Sequence, residues 1–81
     1  MPEEKILVDL EEIVSDYVEL EDGFDKNMSL AGDIGLDSFG IISMLCKIEK
    51  HFNIRIPDYE MPNFLQLGDL VKYIHKNTAN A

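Results

Sequence analysis

The chain has one cysteine, Cys46, in 81 residues. That excludes an internal disulfide framework and a zinc site built on several cysteines. Bases are scarce: seven Lys and Arg stand against sixteen Asp and Glu, for a formal charge of -9. A phosphate backbone or an anionic bilayer would be repelled by such a surface, so nucleic-acid binding and stable membrane insertion are not expected. No apolar run approaches the roughly 18 residues of a membrane span. No basic stretch followed by an apolar one opens the chain, so secretion is not expected and the expected compartment is the cytosol. Only two histidines occur, and they are not spaced as a His-x-x-x-His pair, so no metal site is expected.

The acidity is uneven. Residues 1–25 hold ten acids and Lys5 alone among bases, while residues 26–81 balance six against six. Two readings stay open: an acidic helix face that confers solubility, or one that steers a basic protein partner.

With 46% apolar residues, the chain has enough material for one core, and its length fits one domain. A single domain over 1–81 is expected, with a core of about 3–76 and a frayed tail at 77–81. From Pro2 to about Val18, the residues Ile6, Leu7, Leu10, Ile13, Val14, Tyr17 and Val18 form one stripe of an amphipathic helix. Residues 20–37 show no period, yet carry Phe24, Met28, Leu30, Ile34 and Leu36. A loop of that length is uncommon and usually functional, and its apolar residues imply packing on the core. Residues 38–52 read as a second helix, with Asp37 and Ser38 as candidate caps and Asn53 as its stop. Ile54–Pro57 reads as an extended connector, Asp58 as the cap of a short helical turn ended by Pro62, and 66–76 as a last helix. The expected fold is all-α: three long helices, one short one and a long loop between the first two.

At about 100° per residue, the second helix is apolar over more than half its circumference, Glu49 excepted. A bundle buries only a stripe, so part of this surface should be exposed and meet a partner. Cys46 falls in the apolar arc, where a small filler is the usual role. His51 falls on the polar arc as a solvated side chain.

Catalytic constellations fail on inspection. Ser38 has Gly40 after it but Leu36 before it, so no nucleophile elbow forms. Nothing places His51 or His75 beside Ser38 or Cys46. Asp33 and Asp37 lack the pattern of a calcium loop. What remains is Asp33–Ile34–Gly35–Leu36–Asp37–Ser38–Phe39, which sets a serine at the start of a helix. Such a hydroxyl is a poor nucleophile unaided but a good substrate, and a phosphate on it would sit at a helix N-terminus. A plain helix cap is the alternative.

Gly35–Leu36–Asp37–Ser38–Phe39 before an apolar helix resembles the prosthetic-group site of acyl carrier proteins, whose core word is Asp-Ser followed by Leu or another apolar residue. Leu30, Asp33, Ile34 and Gly35 fall where that family has an apolar residue, an acid, a leucine and a glycine. Glu49 and Phe52 resemble its Glu-x-x-Phe, Ile56–Pro57–Asp58 its Ile-Pro-Asp, and Tyr73–Ile74 its closing Tyr-Ile. The likeness covers about 6–75 and is tight over 30–58.

The resemblance implies a four-helix bundle of acyl-carrier type. It implies 4′-phosphopantetheine on Ser38, with Asp37 beside it, transferred from coenzyme A by a phosphopantetheinyl transferase that uses Mg²⁺. The chain would be a carrier and a substrate of other enzymes, not itself an enzyme. Acyl cargo would travel as a thioester to acyl-loading and acyl-processing enzymes of fatty-acid, lipid or polyketide-type synthesis. Leu30, Ile34, Phe39, Ile56 and Phe64 are expected to line part of the acyl pocket. Phe39, Ile42, Ser43, Cys46, Glu49 and Lys50 match the family's partner-binding face, and a monomer is expected. The chain departs from the family's fatty-acid members in that Gly40, Ser43, Lys50 and His51 stand where acids are found, and Phe39 where Leu is usual. That implies a specialised carrier with dedicated partners. An aminoacyl or peptidyl carrier is the runner-up, although the loop lacks Gly-Gly-Asp-Ser. A helical interaction adaptor without prosthetic group is the alternative of a different class.

Overall fold

The computed structural model describes residues 1–20 and 23–78. Three long helices, α1 (Glu3–Ser15), α2 (Ser38–Phe52) and α3 (Leu67–Thr78), enclose one core. Two short elements join them: a π-helical turn at Leu30–Ile34 and a 3-10 turn at Asp58–Asn63.

The apolar stripes expected from the sequence face inward. Ile6, Leu10 and Val14 of α1, Met44 and Ile48 of α2, and Leu67, Leu70, Val71 and Ile74 of α3 are all fully buried. α1 packs against both α2 and α3. Burial of these side chains is the main favourable contribution, at about 1.5–3 kcal/mol each before chain entropy is subtracted.

Several boundaries differ from the periodicity. α1 ends at Ser15, not near Val18. The Asp16 N–H turns back to Ile13 O at 3.1 Å and Tyr17 N–H to Val14 O at 2.9 Å, a tight turn that aims both side chains at α2. The 3-10 turn runs through Pro62 to Asn63, with Pro57 rather than Asp58 at its cap position. Pro62 does not stop it, because the Phe64 N–H closes the turn on Met61 O at 3.1 Å. The tail was expected to fray from Asn77, but α3 continues to Thr78, which is buried and donates its hydroxyl to Ile74 O at 2.8 Å. The last three residues of the expected tail lie outside the described residues.

The long segment before α2 is stitched to the start of α3. Leu30 N–H donates to Leu65 O (3.1 Å), Leu67 N–H to Met28 O (2.9 Å) and Gly68 N–H to Lys26 O (2.8 Å). Asp69 Oδ2 caps α3, accepting from the Leu65 and Gln66 N–H groups at 3.0 Å each. This stitching fixes the segment that presents Ser38.

Candidate functional site

The approach to Ser38 is built from reciprocal caps. Ser29 Oγ accepts from the Gly32 and Asp33 N–H groups at 3.0 Å each, and Asp33 Oδ2 accepts from Ser29 N–H at 2.9 Å. Leu30 and Ile34 anchor the turn in the core. Gly35 ends it at φ 71°, a left-handed conformation that glycine adopts without strain.

Asp37 then caps α2, with Oδ1 accepting from the Gly40 N–H at 2.8 Å. Of the two candidate caps it is Asp37, not Ser38, that performs this role. A Cβ at Gly40 would lie 3.2 Å from Asp37 Oδ1 and 3.3 Å from Leu36 Cβ. Glycine therefore lets the carboxylate close on the backbone. Ser38 is the first residue of α2 and is exposed. No hydrogen bond among the described residues engages its hydroxyl.

These features decide what the site can accept. The hydroxyl is free for modification, and the cap beneath it is complete without it. A phosphoester on Ser38 Oγ would sit at the positive end of a 15-residue helix. Asp33 and Asp37 each accept a backbone N–H, from Ser29 at 2.9 Å and from Gly40 at 2.8 Å.

A family model described as "phosphopantetheine attachment site" matches residues 8–74. The acyl carrier protein of Renibacterium salmoninarum is 35% identical over 72 residues, 88% of this chain and 89% of that protein. The chain belongs to the acyl carrier protein family. The acyl carrier protein of Wolinella succinogenes is 33% identical over 73 residues, 89% of this chain and 96% of that protein. A solution structure of a putative acyl carrier protein from Anaplasma phagocytophilum superposes with a TM-score of 0.80 at 24% identity, covering 100% of this chain and 94% of that one. It supports the bundle fold. Members of the acyl carrier protein family bind a covalent 4′-phosphopantetheine group, and the free hydroxyl at the head of α2 fits it.

An apolar cavity of about 120 Å³ opens beside α2. Ile41 and Leu45 form its α2 wall, Leu30 and Ala31 the π-turn wall, and Met61, Phe64 and Leu65 the opposite side. Of the five residues expected around an acyl pocket, Leu30 and Phe64 line this cavity. Ile34 and Ile56 are buried in the core. Phe39 lies on the far side of α2 from Ile41, about 160° round at 100° per residue, and is 82% exposed. Ile41, Leu45, Ala31, Met61 and Leu65 line the cavity as well and were not among the five. The spacing of Ile41 and Leu45 from Ser38, at i+3 and i+7, is the signal that puts all three on one helix face.

The six residues expected on a partner face divide into two groups. Phe39, Ile42, Cys46 and Lys50 are exposed on one side of α2. Cys46 is therefore not the apolar filler its arc suggested, because the covered part of that arc lies on its other side. Ser43 and Glu49 are tied to the fold. Ser43 Oγ is 3.3 Å from Tyr17 Oη of the segment after α1. Glu49 Oε2 accepts from Ile56 N–H at 2.6 Å and holds the connector in place. His51 is not simply solvated, since its Nε2 lies 3.1 Å from Asp9 Oδ2. Ser43, Lys47 and His51 follow at i, i+4 and i+8 and meet Tyr17, Asp16 and Asp9, forming a polar seam between the first helical region and α2.

Proposed function

We propose that the chain carries acyl groups as thioesters on 4′-phosphopantetheine attached to Ser38. The supporting observation is the free, exposed hydroxyl at the first residue of α2, on the face shared with Ile41 and Leu45. In the attachment step the Ser38 oxygen attacks the pantetheine-bearing phosphorus of coenzyme A, the bridging P–O bond of the pyrophosphate breaks to release adenosine 3′,5′-bisphosphate, and the serine proton goes to a base supplied by a Mg²⁺-dependent transferase. Bound there, the group supplies the thiol that holds the cargo, so Cys46 is not the carrier thiol. The chain itself contributes the preformed N-terminus, a cavity for an apolar chain and an exposed contact strip.

Phe39, Ile42, Cys46 and Lys50 form that strip, on which acyl-loading and acyl-processing enzymes dock. Exposed acids are missing from α2, whose charged side chains are Lys47, Glu49 and Lys50. Basic partners that depend on acidic pairing therefore bind it weakly, and the protein serves a specialised pathway of fatty-acid, lipid or polyketide-type synthesis in the cytosol, as a monomer. Asp37 contributes by capping α2 beneath the attachment point.

The test is incubation with coenzyme A, Mg²⁺ and a broad-specificity phosphopantetheinyl transferase, followed by intact and peptide mass spectrometry. One phosphopantetheine on the Ser38 peptide, lost in Ser38→Ala, is the expected result. A folded chain that gains no mass overturns the reading and leaves the adaptor role of the exposed strip.

A further inference from the structure

We infer that Ser29 is a positioning residue for the modification of Ser38. The inference rests on the carrier reading of Ser38 and names what steadies its hydroxyl from upstream. Ser29 is the hub of the segment that leads into α2. Its Oγ accepts from the Gly32 and Asp33 N–H groups. Its carbonyl accepts from Asp33 N–H at 3.1 Å and Ile34 N–H at 3.0 Å. Its own N–H donates to Asp33 Oδ2. On the other side its backbone pairs antiparallel with Gln66, between the Leu30–Leu65 and Met28–Leu67 hydrogen bonds. One residue thus ties the π-turn to the head of α3.

Two glycines are fitted to this arrangement, and neither has a positive φ. A Cβ at Gly32 would lie 2.7 Å from Ser29 Oγ, and one at Gly68 would lie 3.2 Å from Lys26 O. A side chain at 32 would evict the Ser29 hydroxyl, and one at 68 would push the incoming segment off α3. The turn passes this constraint to Ser38. Gly35 N–H closes on Leu30 O at 3.3 Å, and only Leu36 and Asp37 then separate the turn from the modified residue. The first turn of α2 has little else to hold it: Ser38 and Phe39 are exposed, and Gly40 brings no side chain to pack. Its order comes from the Asp37 cap and from the chain that delivers Asp37. Loss of the Ser29 hydroxyl leaves the exposed Gly32 N–H to water, while buried Leu30 and Ile34 keep the turn on the core. The fold therefore survives and the first turn of α2 loosens. Ile42, Cys46 and Lys50 lie beyond that turn, so docking is retained and the loss falls on the transfer step.

The experiment measures kcat and KM of a phosphopantetheinyl transferase, with coenzyme A and Mg²⁺, on the full chain and its variants at equal folded concentration. Ser29→Ala is expected to lower kcat about tenfold and to leave KM within about twofold of the parent. Ser29→Thr keeps the hydroxyl at a position already extended, at φ -82° and ψ 143°, and should restore the parental kcat. Gly32→Ala breaks the same contact from the other side and should match Ser29→Ala. The double variant should be no slower than either single one, because one contact is lost only once. Asp9→Asn, which loosens the bundle at the other end of α2, is the control and should keep the parental kcat. Parental kcat in Ser29→Ala overturns the inference, and so does an equal fall in Asp9→Asn, which marks a general loss of stability. Losses that multiply in the double variant overturn the shared contact. If Ser29→Ala does not fold, Gly32→Ala decides by the same two outcomes. A folded parent chain that gains no phosphopantetheine is a failure of the carrier reading instead, which its mass reports separately.

Discussion

Asp9 Oδ2 lies 3.1 Å from His51 Nε2, and Asp9 Oδ1 lies 2.9 Å from Lys5 Nζ. One carboxylate of the acidic α1 thus bridges its own helix and the end of α2. Asp9 is only 7% exposed. Together with the 2.6 Å pair between Asp16 and Lys47, this contact gives part of the acidity of residues 1–25 a structural role, beside solubility and steering.

The Lys5 hydrogen bond holds the Asp9 carboxyl below the usual carboxylate range. Burial opposes that shift, and the His51 contact adds to it. A depressed folded pKa means stability that is fully present above the unfolded value, about 3.9, and is lost as pH falls through the lower folded value. Asp9→Asn is expected to lower stability at pH 7 by about 1–2 kcal/mol, a charged hydrogen bond discounted for its half-exposed partners. Urea unfolding of both proteins from neutral to strongly acidic pH checks it. The gap should narrow below about pH 4, and a constant gap would contradict the electrostatic origin.

Glu49 presents a separate case, because its carboxylate faces the connector and not a partner. Glu49→Ala leaves the Ile56 N–H without its acceptor and is expected to cost about 1–2 kcal/mol, about 4–16 °C in Tm for a domain of this size. Glu49→Gln keeps an acceptor oxygen and should recover most of that loss. Thermal unfolding of the two variants separates acceptor geometry from charge.

The contrast between α2 and its surroundings shows what a single sequence carries. The limits of α2 were legible because Asp37 caps locally and Asn53 takes φ 56° at its end. The π-turn was not legible: Ser29 and Asp33 are ordinary loop residues until their reciprocal hydrogen bonds form. The contacts of Asp9 with His51, 42 positions apart, and of Glu49 with Ile56 depend on how elements are placed in space, which helical period does not report. Periodicity also showed that α2 has excess apolar surface without showing which part is covered. Phe39 was thus assigned to both the pocket and the partner face, but occupies only the exposed side.

Phe39 supports a third prediction. Its ring is 82% exposed, so Phe39→Ala should change stability by less than about 0.5 kcal/mol. If the ring anchors a partner, losing it should lower kcat/KM of the transferase or an acyl-loading enzyme by about 30-fold, the equivalent of a 2 kcal/mol contact. Steady-state kinetics at equal folded concentration measure this. Equal kcat/KM for the two proteins would remove Phe39 from the docking strip.

Asp37 permits the sharpest separation of fold from chemistry, since it adjoins Ser38 and also caps α2. Asp37→Ala removes the acceptor for the Gly40 N–H and is expected to destabilise by about 1 kcal/mol. The loss should fall on the first turn of α2, where the Ser38 hydroxyl is held. Asp37→Asn keeps a capping oxygen, so stability should stay within about 0.5 kcal/mol of the parent. Hydrogen exchange at Gly40 reads the cap, and the rate of mass gain at Ser38 reads modification. If Asp37 acts only by shaping the helix start, Asp37→Asn should be modified at the parental rate and Asp37→Ala more slowly. If its charge is recognised by the transferase, both variants should slow while Gly40 stays protected in Asp37→Asn. The two readouts therefore assign Asp37 to the helix cap or to the transferase contact without relying on stability alone.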